Sequence, residues 1–272
     1  MLFRSFGFYI DEFNVASGTV NPAIMDVERI EVLRGPQGTY FGKNAVGGAI
    51  NITTKKPTNE FDAEAMVGYS RFDTRDLEGT LNVPLVSDRL AMRANVKWRE
   101  SEGNIRNINP IGGGNDSTYK NGRLALRYTP SDRLTIDLTG SYTDEEVGMR
   151  EGIPTGVLSD FGRAIFHGGD PNAVADPDGV GFYPHNVDRV NFGRAQSVGS
   201  EFYYLTGRVQ YDFDSLTLVS VTGYIDTKSY LDGDIDGGSA DAFYETNPLY
   251  SDSASQRSEE HTSELQSQNR IS

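Results

Sequence analysis

The feature that most constrains this chain is a two-residue alternation of apolar and polar side chains in several separate segments. The clearest segment is 90–99, and the alternation recurs at 123–129, 134–143 and 203–213, while residues 216–225 carry apolar side chains on both faces. Successive side chains of a strand point to opposite faces, so the pattern predicts strands with one apolar and one polar face. In the first segment the apolar positions are Leu90, Met92, Ala94, Val96 and Trp98.

The connections between these segments alternate in length. Short turns rich in turn-forming residues lie at 86–89, 130–133 and 214–215. Long polar connections rich in glycine cover about 103–118, 146–200 and the residues from Ser229 onward. This order places the short turns at one end of the sheet, which is typical of outer-membrane β-barrels. Aromatic residues near the strand ends favour the same fold, although a soluble sandwich would also use them in its core: Trp98, Tyr128, Tyr142, Tyr211 and Phe213.

The composition excludes several other classes. The chain has 272 residues, no cysteine and a formal net charge of -14. Without cysteine there is no disulfide scaffold, no cysteine zinc site and no thiol catalysis. The acidic excess argues against a nucleic-acid partner, which would require a basic patch. No run of apolar residues approaches the ~18 residues that a membrane-spanning helix needs.

A motif precedes the alternating segments. Residues 27–39 read VERIEVLRGPQGT, and residues 40–57 read YFGKNAVGGAINITTKKP. This stretch resembles the last part of the plug domain of TonB-dependent outer-membrane receptors. The family pattern is an acidic-Arg-Ile-Glu-Val-Leu-Arg-Gly-Pro core, followed by Gly-x-x-Ala-x-Gly-Gly-x-Ile-Asn-Ile. The resemblance covers residues 8–57 by motif and the rest of the chain by architecture.

The resemblance implies a mainly β fold in two parts. Residues 1–57 are expected to form the C-terminal part of an α+β plug, with a short strand at 8–12 and a short helix that begins at 23–27. Residues 58–256 are expected to form about the first seven strands of an incomplete antiparallel transmembrane β-barrel. The location is then the bacterial outer membrane, with the plug in the barrel lumen, the tight turns periplasmic and the long loops extracellular.

The motif residues have physical roles of their own. Gly35-Pro36 and Gly38 suit a tight turn, and Gly47-Gly48 permits close backbone approach. By resemblance, Arg34 would meet carboxylates on the inner wall and hold the plug; the alternative is an internal pair between Glu31 and Arg34. The residues assigned to the plug motif and its latch are Glu28, Arg29, Glu31, Arg34, Gly35, Pro36, Gly38, Gly47 and Gly48.

Both ends of the chain differ from what a complete receptor would show. The first residues lack the features of a secretory signal. The polar run from Arg257 matches the translation of a common sequencing-library adapter, so residues 257–272 are interpreted as a non-native tail. We therefore expect an internal fragment of a longer protein, without the upstream segment that contacts TonB, and we do not expect it to be active alone.

The function implied by the resemblance is binding and active import of a scarce nutrient, most commonly an iron-siderophore. The partners would be a TonB-type energy-transducing complex, outer-membrane lipid and a nutrient such as a metal chelate, with no cofactor and no covalent chemistry. A passive channel or adhesin barrel is an alternative, but it would lack residues 27–57. An outer-membrane hydrolase is a second alternative; it would need His167 and His185, which lie in a long predicted loop.

One acidic segment is a weak candidate for a metal site. Asp232, Asp234 and Asp236 match the opening of a calcium-binding EF-hand loop. Phe243 stands where such a loop needs a bidentate glutamate, and no flanking helix is predicted. An acidic external loop is the favoured interpretation.

Overall fold

The computed structural model describes residues 6–15, 25–36, 47–148, 188–234 and 244–262. All regular secondary structure in these ranges is strand, which confirms the mainly β fold class. Among the described residues, no helix has the length and apolar character needed to cross a bilayer.

The plug part is a small four-stranded sheet. Its strands are β1 (Phe6–Ile10), β2 (Phe13–Asn14), β3 (Val27–Arg34) and β4 (Gly48–Thr54), in the order β2-β1-β4-β3. β1 is antiparallel to β2 and parallel to β4, and β3 is antiparallel to β4. The predicted short strand at 8–12 is thus β1, which ends at Ile10.

The short helix predicted to begin at 23–27 is wrong where the structure describes it. Met25 and Asp26 are not helical, and Val27 opens strand β3; residues 23 and 24 lie outside the described ranges. Asp26 has a positive φ of 51°, so the backbone turns there and then extends along β4. The acidic side chain that suggested a helix start forms an ion pair with the wall instead.

The second part is a nine-stranded antiparallel sheet, hereafter the wall. The strands of this part are β5 (Asp62–Ser70), β6 (Thr74–Val86), β7 (Leu90–Ser101), β8 (Arg106–Asn107), β9 (Ser117–Ser131), β10 (Leu134–Val147), β11 (Arg189–Val190), β12 (Ser197–Asp212), β13 (Leu216–Asp234), β14 (Tyr244–Thr246) and β15 (Leu249–Thr262). The order in the wall is β14-β13-β12-β10-β9-β7-β6-β5, with β15 also paired to β13, and the described strands form an open sheet. A separate pair of short parallel strands, β8 and β11, joins two connections.

Burial on the wall is inverted relative to a water-soluble sheet. Val96 is 55% exposed, whereas its neighbour Asn95 is 1% exposed. Leu138 is likewise exposed, between buried Asp137 and buried Thr139. The apolar face is therefore the outer one and the polar face covers the plug, as expected of a sheet whose outside meets lipid.

The short turns lie where the sequence predicts them, and the structure bounds them at 87–89, 132–133 and 213–215. The opposite end of the sheet is less uniform than expected, because β5 and β6 are joined there by the short turn 71–73. β13 also continues to Asp234, so the long connection predicted from Ser229 begins later. Antiparallel partners on both sides of β13 support this extension.

Strand β15 continues into the segment interpreted as a non-native tail. Its residues 257–262 pair with β13 as far as Leu216. Backbone hydrogen bonds along an open strand edge do not require particular side chains. The pairing is therefore independent of the origin of this segment, and the non-native tail at 257–272 stays a prediction.

Candidate functional site at the plug–wall interface

The plug meets the wall through the tip of its β1–β2 hairpin. Asp11 and Glu12 form the two-residue turn, and both have positive φ, 48° and 68°. Hairpins of this length favour turns in which both central residues adopt this conformation, and aspartate tolerates it better than most residues. Glu12 lies 4.0 Å from the wall residue Arg208 and 3.1 Å from Arg257. The turn thus brings two carboxylates to the inner wall.

Asp11 is buried and accepts several hydrogen bonds. The backbone N–H of Thr54 donates to Oδ1 at 3.0 Å, and the Thr54 hydroxyl donates to Oδ2 at 2.6 Å. Lys56 Nζ lies 2.8 Å from Oδ1. These contacts join the hairpin tip to the end of β4, which makes the plug a single unit at its wall-facing side.

Asp26 is the second buried carboxylate of the plug. Arg93 on β7 donates to it in a bidentate manner, with Nε to Oδ2 at 2.5 Å and Nη2 to Oδ1 at 2.6 Å. Burial alone would raise the pKa of Asp26, but the hydrogen bonds and charges of Arg93 and Arg123 outweigh it and lower the pKa. The carboxylate is therefore charged at neutral pH.

Arg123 on β9 lies between the two plug carboxylates. Its guanidinium nitrogens are 3.8 Å from Asp11 and 3.7 Å from Asp26, and Nη2 also donates to the Thr54 hydroxyl. Its side chain is 3% exposed. We call Asp11, Asp26, Arg93 and Arg123 the carboxylate–arginine cluster. Charges buried this far from water are tolerated because each carboxylate is paired and hydrogen-bonded.

An apolar contact lies beside the cluster. Three plug residues, Phe13 among them, pack against three residues of the inner wall. A side chain at Gly223 of β13 would overlap the ring of Phe13, so the wall needs glycine there. This contact accounts for Ile225, one of the apolar residues on the inner face of 216–225. The cluster consists of Ile10, Phe13, Val15, Phe202, Tyr204 and Ile225.

Most charged residues of the predicted plug motif lie on strand β3, away from this interface. Glu28, Arg29 and Arg34 are exposed, and Arg29 lies 3.5 Å from Glu28 and 3.4 Å from Glu31. Exposed ion pairs of this kind contribute about 0–1 kcal/mol. Asn51 of β4 donates to Glu31 at 3.0 Å. The role predicted for Arg34 in holding the plug stays a prediction.

The motif glycines occupy special backbone positions where they are described. Gly35 has a φ of 83°, a conformation that favours glycine, and Pro36 follows it. Gly48 has a φ of 146° and is buried in β4, paired with both β1 and β3. Gly47 forms the bend before it, and Gly38 lies outside the described residues.

Two of the three weak metal candidates lie among the described residues. Asp232 and Asp234 are in strand β13, and Asp236 lies outside the described ranges. Asp232 accepts a 2.6 Å hydrogen bond from Thr246 and lies 3.8 Å from Arg194. Within the described part of the chain, no group of three or more acidic or histidine side chains is placed to hold a metal ion.

Comparison with known proteins gives matches in sequence and in fold. The family model described as the TonB-dependent receptor plug domain matches residues 3–49. The pesticin receptor of Yersinia pestis is 32% identical over 128 residues, which cover 46% of this chain and 19% of that receptor. The catecholate siderophore receptor Fiu of Escherichia coli K12 is 38% identical over 82 residues, which cover 29% of this chain and 10% of that receptor.

A solved structure matches over most of the chain. The crystal structure of the ferric yersiniabactin uptake receptor FyuA from Yersinia pestis superposes with a TM-score of 0.73 at 18% identity. The superposition covers 95% of this chain and 37% of that chain. At this identity the likeness concerns the fold alone.

A sheet that is apolar outside, polar inside and seated on a folded plug is the architecture of plugged outer-membrane β-barrels. Residues 3–49 match the plug-domain model of TonB-dependent receptors, and the chain is similar in fold to a solved receptor of that name, which confirms the resemblance predicted from the sequence. The chain aligns with 19% or less of the length of the curated relatives described above.

Proposed function

We propose that the protein containing this chain is an outer-membrane receptor that imports a nutrient when a TonB-type complex acts on its plug. The observation that carries this proposal is the carboxylate–arginine cluster, which holds a folded plug against the polar face of a lipid-facing sheet. A barrel with a purely structural role needs no such plug. A plug that closes the lumen of a transport protein must be able to move, so that cargo can pass.

We further infer that the cargo is a ferric siderophore. The names of the relatives support this choice, since Fiu is a catecholate siderophore receptor and FyuA takes up ferric yersiniabactin. The cargo would enter from the side of the long connections, which we assign to the extracellular face. The tight turns at 86–89, 130–133 and 214–215 would then be periplasmic.

The geometry supports a conformational mechanism without covalent chemistry. The contacts between plug and wall are hydrogen bonds, ion pairs and one apolar cluster, all of which can break and form again. Arg93 and Arg123 would keep the plug seated until a pull from the periplasmic side separates them from Asp26 and Asp11. Separating a buried ion pair costs a large free energy unless water reaches the charges at the same time. The ion pairs would therefore break, and water would enter the interface, in one concerted step that releases the plug from the wall.

The two alternative functions are less well supported. A passive channel has no use for a plug that occupies the inner face of the wall. A hydrolase would require His167 and His185, and both lie outside the described residues. The named relatives are receptors rather than enzymes.

The experiment that tests the proposal is uptake of a radiolabelled ferric siderophore by cells that express the full-length protein as their only siderophore receptor. We expect accumulation that stops when the proton gradient is collapsed, while surface binding persists. Accumulation that continues without the gradient would indicate a passive channel. Absence of both binding and uptake for a panel of ferric chelates would refute the proposed cargo class.

A further inference from the structure

The segment between plug and wall is held by a single buried asparagine. This segment, residues 57–61, is hereafter the tether, and the asparagine is Asn82 on β6. The amide Nδ2 of Asn82 donates to the carbonyl of Thr58 at 3.0 Å, to the Thr58 hydroxyl at 3.0 Å and to the carbonyl of Glu60 at 2.5 Å. In return, the backbone N–H of Thr58 donates to Asn82 Oδ1 at 3.1 Å.

These bonds use both the donor and the acceptor side of the amide. Asn82 is 0% exposed, whereas the tether residues Thr58, Asn59 and Glu60 are exposed. Beyond buried Pro57, the tether is thus fixed by one wall side chain that binds the backbone of Thr58 and Glu60 and the Thr58 hydroxyl. Aspartate could not donate these bonds, and leucine could make none of them.

Asn82 also stands in one cross-strand row with the residues that hold the plug. It pairs with Asp62 of β5 on one side and with Arg93 of β7 on the other. Arg93 bonds Asp26 of the plug, and its Nη1 lies 3.8 Å from Asp62. One row of the inner wall therefore fixes the plug body, the tether and the start of the first wall strand.

We propose that Asn82 is a positioning residue that isolates the wall from the movement of the plug. This inference rests on the proposed function, because it concerns the pull that moves the plug. With Thr58 and Glu60 fixed, a displaced plug pivots at the start of the tether, next to buried Pro57. Without Asn82, the pull reaches Asp62, the first residue of β5.

Strand β5 is the part of the wall that needs this isolation. It begins at Asp62, directly after the tether, and pairs with β6 over residues 62–70. A force applied at Asp62 would peel its hydrogen bonds from β6 one after another, which requires far less force than shearing them together. Asn82 keeps the force on the tether and leaves the register of β5 and β6 intact.

The first test measures amide hydrogen exchange of the peptide 55–61 in the full-length protein in micelles. In Asn82→Leu we expect exchange in this peptide to accelerate at least about tenfold, since the buried bonds to the tether are lost. The matched control is Asn121→Leu. Asn121 is also a buried inner-wall asparagine, but its amide donates within the wall, to Ser141, Tyr142 and Thr143 of β10. The control should leave exchange in the tether within about twofold of wild type.

The second test separates positioning from folding. We expect Asn82→Leu to lower the maximal rate of siderophore uptake severalfold while the Kd of the cargo stays unchanged, because the tether lies at the end of the wall with the short turns, opposite to the proposed entry side. If Asn82→Leu does not assemble, Thr58→Val at an exposed position removes the hydroxyl bond alone and should accelerate tether exchange by about two- to threefold.

The outcomes distinguish this inference from the function on which it rests. Unchanged exchange in both tether variants, or equal acceleration in Asn121→Leu, would overturn the role of Asn82. Acceleration specific to the tether with normal uptake would also overturn it. If the wild-type protein shows no energised uptake, the proposed function fails, and exchange in the tether still decides whether Asn82 fixes that segment.

Discussion

The plug and the wall bury opposite kinds of side chain. The interior of the plug sheet is apolar, with Tyr9, Ala49 and Ile52 almost fully buried. The covered face of the wall is polar, with Asn82, Asn95 and Thr143 almost fully buried. The two regions therefore follow different rules within one chain, since the plug excludes water from its centre while the wall turns its apolar side outward.

At the interface between the two regions this distribution is locally reversed: the plug buries charged side chains, and the wall buries apolar ones. The buried carboxylates Asp11 and Asp26 of the plug form ion pairs with arginines of the wall. A few positions away, the wall offers Phe202 and Ile225 to the apolar side chain of Phe13. The plug is thus recognised by matched polar and apolar contacts, and substitutions on each side of the interface can separate their contributions.

The largest effect is expected from Arg93→Leu. The substitution leaves the carboxylate of Asp26 buried without its bidentate partner, and breaking one side of a buried pair costs about 3–5 kcal/mol. Unfolding by denaturant in micelles, followed through a fluorophore placed on the plug, would measure the loss. Arg99→Leu is the matched control on the same strand. Arg99 is 54% exposed and lies 3.6 Å from Asp76, so its loss should cost no more than about 1 kcal/mol. Equal losses in the two variants would contradict a specific plug–wall lock.

A somewhat smaller effect is expected on the outer face of the wall. Leu205 of β12 is 58% exposed, so Leu205→Arg would be nearly neutral in a water-soluble sheet. In a bilayer, an arginine on the lipid face costs about 2–4 kcal/mol near the midplane. Folding free energies in lipid vesicles would measure this cost, with Leu205→Met as the control. A neutral Leu205→Arg would show that this face does not meet lipid.

Much of this arrangement could be predicted from the sequence, because it rests on local patterns. Alternation gave the strands and their outer face, and turn-forming residues gave the tight turns. The plug–wall contacts could not be predicted in this way, since Asp26 and Arg93 are distant in sequence and meet only after the sheet curves over the plug. Two sequence features indicated these plug–wall contacts indirectly. One is the presence of arginines on the polar faces of the strands, and the other is the presence of apolar residues on both faces at 216–225.

The role predicted for Arg34 stays a prediction, and the described contacts show a different ion pairing between plug and wall. The motif led to Arg34 as the residue that would meet wall carboxylates. In the described carboxylate–arginine cluster the polarity is the reverse, with carboxylates on the plug and arginines on the wall. A motif fixes backbone positions such as Gly35, but the partner of a charge depends on which strand ends come together in three dimensions.

The apolar part of the interface gives the third prediction. At Gly223→Ala, the new methyl group would overlap the ring of Phe13, which must shift. Overpacking of this kind costs about 1–3 kcal/mol. Gly207→Ala is the control, because its Cβ would meet only the end of the flexible Leu138 side chain. Proteolysis of the plug would measure the loss, and Phe13→Leu together with Gly223→Ala should recover part of it. Lack of any recovery would argue against a direct contact.

The smallest effect concerns pH and tests the charge of Asp26. Because its pKa in the folded protein is lowered, its contribution to stability is fully present above the unfolded value of about 3.9 and is lost as the pH falls through the lower folded value. Seating of the plug, measured by hydrogen exchange of residues 25–34, should therefore be constant between about pH 7 and 5 and weaken only below about pH 4. Asp26→Asn should start from weaker seating and lose most of this dependence, since it carries no charge to titrate. Weakening already between pH 7 and 5 would mean that burial, rather than the two arginines, controls this carboxyl group.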